Sequence, residues 1–294
     1  MKKSFFIVIL IFTFVSCDHY REFIKETDYN QTATDDFGYD LLNPNKKYFM
    51  GYSLEEISGL SYVDTDLLAC IQDESGKLYI YDTKKKAIVR RIKFHKGGDY
   101  EGVEVIGRTA YVIRSNGNLF RIPLDIGDKP AVEKIKTPFT DKNNIEGLGY
   151  DPKSGQLLVS CKNDGGIGDE EMKGKAVYAY DPIWERLSDT VLFKVLKKDL
   201  KAFAKKMNHE DRKLDIEPSA IALHPLEDCY YLLASSGKAL IVINRKGEII
   251  EFIKLRPAIF HQPEGICFSP TGTLYISSEG DGEDGYILKF KYNK

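Results

Sequence analysis

Five short motifs share one form, a Ser or Glu, then a small residue, then an aliphatic one. They are Ser58-Gly59-Leu60, Glu101-Gly102-Val103, Glu146-Gly147-Leu148, Ser219-Ala220-Ile221 and Glu264-Gly265-Ile266. Two residues before them stand Glu56, Asp99, Asn144, Glu217 and Gln262, so every motif carries at least one carboxylate. The strand period of two lets both members of each pair share a side. Gathered about one axis, Glu56, Asp99, Glu101, Glu146, Glu217 and Glu264 would repel one another unless something offsets their charge. A hard divalent cation does so directly. Calcium accepts roughly six to eight oxygen ligands, whereas the sequence offers no Cys pair or close His pair for zinc. Glu56, Glu101, Glu146, Glu217 and Glu264 are the candidate ligands, and Asp73, Asp99, Asn144, Asn163 and Glu279 are candidates for further ligands or substrate contacts. Two other readings stay open: the acids accept backbone N–H bonds from neighbouring elements, or some are protonated and do acid or base work. His95 and His261, each shortly before a motif, are the candidate general bases. The chain has no G-x-S-x-G, H-E-x-x-H, phosphate-loop or dinucleotide fingerprint.

The first residues of the motifs are separated by 43, 45, 73 and 45 residues, close to the period of a four-stranded propeller blade. After each motif a strand-like run leads through a turn to a second run. Leu67 to Ile71, Ser75-Gly76 and Lys77 to Tyr81 form one such hairpin, and Tyr230 to Ala234, Ser236-Gly237 and Ala239 to Ile243 another. Further β-rich runs, such as Ala87 to Phe94 and Glu248 to Leu255, complete the units. The last repeat is short, and Lys46 to Met50 is a fitting outer strand to close the ring from the N-terminal side. The expected fold is therefore all-β, a five-bladed propeller over 46–294, with six blades as the alternative. The long interval reads as an insertion near 163–213 that enlarges the third blade, with Leu196, Leu200, Phe203 and Met207 at helical spacing. In such a ring the turns bearing Asp73, Asn116, Asn163, Ser236 and Glu279 open on the same face as the motif starts. Trp184 and the many tyrosines read as blade packing.

With 42 Lys and Arg against 44 Asp and Glu, the chain has no basic field that would suit nucleic acid. Lys2 and Lys3 precede an apolar run from Phe5 to Val15, the length of a signal-peptide core and short for a bilayer span. Phe14-Val15-Ser16-Cys17 resembles the lipobox of bacterial lipoproteins, which implies cleavage after residue 16 and lipidation of Cys17. An ordinary signal peptide is the alternative. Residues 17–45 read as a polar tether that holds the domain off the membrane. Cys70, Cys161, Cys229 and Cys267 lie in apolar runs and read as buried thiols, although an export compartment leaves room for one disulfide.

Glu56-Ile57-Ser58-Gly59-Leu60, Asp99-Tyr100-Glu101-Gly102, Ile145-Glu146-Gly147-Leu148 and Gln262-Pro263-Glu264-Gly265-Ile266 together resemble the SdiA-regulated domain family, over roughly 46–294. The resemblance implies a five-bladed propeller with a calcium site, and more distantly it looks like calcium-dependent lactonases and phytase-like esterases. Carried over by position, Glu101, Glu146, Glu217 and Glu264 match the axial acids, whereas Ser58 and Ser219 depart from the pattern. The expected function is an exported, membrane-anchored calcium-binding propeller of the cell envelope, on the periplasmic or surface side of the outer membrane. It would present its channel mouth to an unidentified small molecule or protein, act as a monomer, and touch the membrane only through its lipid. The alternative is a metal-dependent lactonase or phosphoesterase.

Overall fold

The computed structural model describes residues 37–125, 127, 130–207, 214–280 and 282–294. The signal segment, Cys17 and the tether up to residue 36 lie outside them. The chain first forms β1 (Lys46–Phe49), then four strands β2 (Ile57–Asp64), β3 (Leu67–Gln72), β4 (Lys77–Asp82) and β5 (Ala87–Lys93) that pair in sequence order as blade 1. Blade 2 is β6 (Tyr100–Ile106), β7 (Thr109–Arg114), β8 (Leu119–Pro123) and β9 (Glu133–Ile135). Blade 3 holds β10 (Ile145–Asp151), β11 (Gln156–Cys161) and β12 (Lys175–Asp181), whose outer edge pairs with both β13 (Arg186–Leu187) and β14 (Phe193–Val195). Helix α1 (Lys197–Lys206) follows, with Leu200 and Ala204 buried. Blade 4 is β15 (Glu217–Leu223), β16 (Tyr230–Ser236), β17 (Ala239–Ile243) and β18 (Ile249–Lys254). In blade 5, β19 (Gln262–Phe268), β20 (Leu274–Glu279) and β21 (Tyr286–Phe290) take β1 as their outer strand.

The result is the expected five-bladed propeller, closed by a strand from the N-terminal side and carrying one short helix. Burial falls from the axis outward: β19 is almost wholly buried, whereas β5 alternates between exposed and covered residues. Inner strands are covered on both faces, so their sequences run apolar without a period of two; outer strands keep it. Each of the five apolar clusters lies between two adjacent blades, such as Leu60, Cys70, Tyr79, Cys267 and Tyr275 between blades 1 and 5. Among the described residues no apolar cluster belongs to one blade alone, so it is the closed ring that buries all five. Trp184, expected to pack within a blade, is instead 81% exposed. It sits in the β12–β13 turn, where Asp181 accepts hydrogen bonds from the backbone N–H groups of Ile183 and Trp184 and holds their side chains outward. Cys70, Cys161, Cys229 and Cys267 are free thiols.

The segment before β1 is clasped to the end of the propeller remote from the motifs. The Nδ1 of fully buried His224 accepts from the N–H groups of Leu226 and Glu227 at 3.2 and 2.9 Å, so Nε2 carries the proton. That N–H donates to the Tyr39 hydroxyl at 2.6 Å, which in turn donates to the Gly272 carbonyl at 2.5 Å. Burial pushes His224 down to about 4, so it is neutral in the folded protein. Because its folded pKa lies below the unfolded value, the unfolded chain binds the extra proton first. The stabilisation is complete above the unfolded pKa and is lost as pH falls from about 6.5 toward 4, by up to roughly 3 kcal/mol. Urea melts at pH 7 and pH 5 should show this slope, and His224→Gln should flatten it. An unchanged slope in the variant would assign the effect to other groups.

Candidate functional site

Where the sequence shows a repeated motif, the strands show a repeated irregularity. Pairing steps from Tyr100 to Gly102, from Ile145 to Gly147 and from Pro263 to Gly265, each opposite consecutive residues of the second strand. Glu101, Glu146 and Glu264 are therefore the extra residues of three β-bulges, and Ser219 is the same in blade 4. A bulge re-aims the side chain it carries and breaks the period of two, so the shared side expected for residues two apart does not follow from pleating. The two motif serines join blades instead. Ser58 Oγ donates to the Tyr100 carbonyl and Ser219 Oγ to the Pro263 carbonyl, both at 2.8 Å, and each bond links one blade to the next.

The acids that gather at the mouth come from blades 1, 2, 3 and 5. Glu146 is 5% exposed and Glu264 9%. Burial pushes Glu101 up to about 10, with Glu146, Asp99 and Glu264 adding repulsion. Burial raises Glu264 to about 8, reinforced by Glu279 and Glu146, and raises Glu279 to about 7, reinforced by Asp73 and Glu56. Asp73 is lifted to about 6 by burial and by Glu56. The Gln262 amide donates to Glu279 at 2.5 Å, the Gln72 amide to Glu56 at 3.1 Å, and the Asn144 amide to Glu146 at 3.1 Å. Asn144 adopts φ +47°, a strained left-handed conformation that brings its amide to the carboxylate.

Lys162, just past β11, belongs to no motif of the sequence. Its ammonium lies 3.1 Å from Glu146. Burial works against that charge, yet Glu146, with Glu264 and Glu101 behind it, raises its pKa overall. No repeat marks this position: Ser115 stands at the matching place in blade 2 and Glu279 in blade 5. Its one signal in the sequence is a cation at the end of a second strand, in a turn expected to open on the acidic face.

Glu217 stands apart from the cluster. With Ser236, Lys175, Leu196 and Leu200 it lines a separate cavity of about 700 Å³ beside α1. Glu56, Asp99 and Asn163 are exposed at the rim. His95 bonds through Nδ1 to the Tyr100 hydroxyl at 3.0 Å, and His261 lines another cavity with Lys47 and Tyr286. Neither histidine bonds to the acid cluster among the described residues.

The donors at the mouth are all oxygens, which suits a hard cation in kind, and the repulsion among them gives it a charge to neutralise. Among the described residues no three His, Cys, Asp or Glu side chains converge closely enough to hold an ion without moving. A cation there would draw Glu101, Glu146 and Glu264 inward and displace the Lys162 ammonium from Glu146.

Among solved structures, the chain resembles the glutaminyl cyclase of Myxococcus xanthus at 14% identity, over 85% of this chain and 96% of that one, with a TM-score of 0.57. It also resembles a structural genomics protein of unknown function from Bacteroides thetaiotaomicron, at 10% identity, 85% and 73% coverage and a TM-score of 0.52. At such identities the likeness is one of fold alone. No curated protein matches the chain. The model of one family, described as SdiA-regulated, matches residues 35–281, and with its acid motifs within that span the chain belongs to the SdiA-regulated family.

Proposed function

We propose that this protein is an envelope-anchored propeller that takes up calcium at its acidic channel mouth and offers that face to a small molecule or protein. The observation that carries the reading is the crowding of Glu101, Glu146, Glu264 and Glu279, all raised by burial and all but Glu146 also by one another, around the ammonium of Lys162. Glu101, Glu146 and Glu264 would hold the ion, with Glu279 and Asn144 next to it. Bound there, calcium would supply a positive charge that orients an anionic or carbonyl oxygen of a ligand. The chain's own residues fix the carboxylates on bulges, restrict Glu146 through Asn144, and keep water from the buried acids.

The lipobox-like Cys17 supports anchoring. Tyr39 is clasped at the end remote from the mouth, which supports a display in which the mouth points away from the membrane.

The test is a thermal melt of the chain from residue 17 onward, carrying Cys17→Ser, after chelation and again with calcium or magnesium. A rise on the order of 5 °C is expected at saturating calcium, with less for magnesium. Glu101→Gln and Glu264→Gln should each reduce it. Superimposable melts with chelator and calcium would refute the calcium reading.

A further inference from the structure

The channel has a second end. A cavity of about 300 Å³ lies there, lined by Tyr62 of β2, Glu104 of β6, Tyr150 of β10, Leu223 of β15 and Phe268 of β19, one residue from each inner strand. It is therefore on the axis, one strand length from the acidic mouth and independent of it. Glu104 accepts from Ser61 Oγ at 3.0 Å and from the Val105 N–H at 3.2 Å. Burial pushes its carboxyl up to about 8 against those two bonds, and among the described residues no Lys or Arg offsets the charge. The contrast with the mouth is chemical: there, several acids share a lysine, whereas here one carboxyl faces aromatic walls with no cation among the described residues.

A metal ion does not suit this cavity, because a single carboxyl falls short of the oxygen shell that a hard cation needs. A neutral apolar ligand would make no use of the carboxyl, which would stay protonated, whereas a cation draws it into its ionised form. An ion that carries its charge inside an apolar shell satisfies both walls, since aromatic rings attract such cations and the carboxylate pairs with them. We propose that the far-end cavity binds a small organic ammonium ion, with Glu104 as its counter-charge and Tyr62, Tyr150 and Phe268 as its aromatic walls. Free amines and the choline or ethanolamine headgroups of lipids share this chemistry. The proposal stands apart from the calcium reading and survives its failure.

Calorimetric titration of the chain from residue 17, carrying Cys17→Ser, tests it with four probes: choline chloride, ethanolamine hydrochloride, 3,3-dimethylbutanol as the uncharged isostere of choline, and dihexanoylphosphatidylcholine below its micellar concentration. Saturable binding of at least one of the two amines is expected, with the alcohol at least tenfold weaker. Glu104→Gln keeps an acceptor for Ser61 and should lower affinity tenfold or more without lowering the melting temperature. Tyr150→Leu should weaken binding with the carboxyl intact. Binding of the phospholipid tighter than free choline would identify a lipid headgroup as the source, and equal or weaker binding a soluble amine. No heat with either amine, equal affinity for the alcohol, or full affinity in Glu104→Gln would overturn the assignment.

Discussion

Lys162→Met is expected to cost the metal-free protein about 3 kcal/mol at pH 8, because it removes the cation from a carboxylate that is almost wholly buried. The loss should shrink at pH 5. Without the ammonium, the folded pKa of Glu146 rises further above its unfolded value, so the folded state holds a proton that the unfolded state has released. Stability of the variant then falls as pH rises through that window, and the defect fades near the unfolded carboxylate value. Protonation is what keeps the cost near the lower end for a broken buried pair. Calcium and the ammonium compete for the same carboxylates, so the calcium-induced rise in melting temperature should be larger in the variant than in the parent. Urea denaturation with chelator at both pH values, followed by calcium titration, measures each part. Equal stability of variant and parent at pH 8 would remove Lys162 from the charge balance of the mouth.

Gly102→Val should destabilise the fold by about 3 kcal/mol, the upper range for overpacking a core. A Cβ on Gly102 would lie 2.6 Å from the Leu148 Cβ, 2.8 Å from the Leu148 nitrogen and 3.1 Å from the Glu146 carbonyl oxygen. Backbone, not a pliable side-chain tip, stands in the way, and β10 must retreat from β6. Retreat would also carry Glu146 away from Glu101, so the response to calcium should fall along with stability. Gly59 meets the same limit against Val103 and Glu101 of blade 2. Ala87→Val, on the exposed outer strand β5, is the control and should stay within about 0.5 kcal/mol. A Gly102→Val protein as stable as the control would mean that the inner strands can part without penalty.

These two residues show why part of the molecule was readable and part was not. The small residue of each motif recurs because every inner strand must approach its neighbour at the same height, and that repeated steric demand leaves a periodic mark at 43 to 45 residues. The repeat also exposed the hairpins and the N-terminal closing strand, while the helix showed through its own apolar spacing. The bulges left no mark, since a bulge is a mismatch between two strands and exists only once they pair. Lys162 was hidden for another reason: it occurs in one blade, and a search for repetition passes over what is not repeated. Trp184 misled because a large aromatic is usually covered, whereas its turn geometry directs it to solvent.

The sequence by itself determined the all-β class, the five blades and their closure, and the acidic character of one face, because strand periodicity and close approach act locally and repeat. Only the tertiary structure decided that Glu101, Glu146 and Glu264 gather near Lys162 while Glu217 turns toward another cavity, and that Glu104 lines a cavity at the far end of the channel. Those residues are far apart in the chain, and their distances are set by ring closure and by the bulge in each inner strand, which no local stretch of sequence encodes.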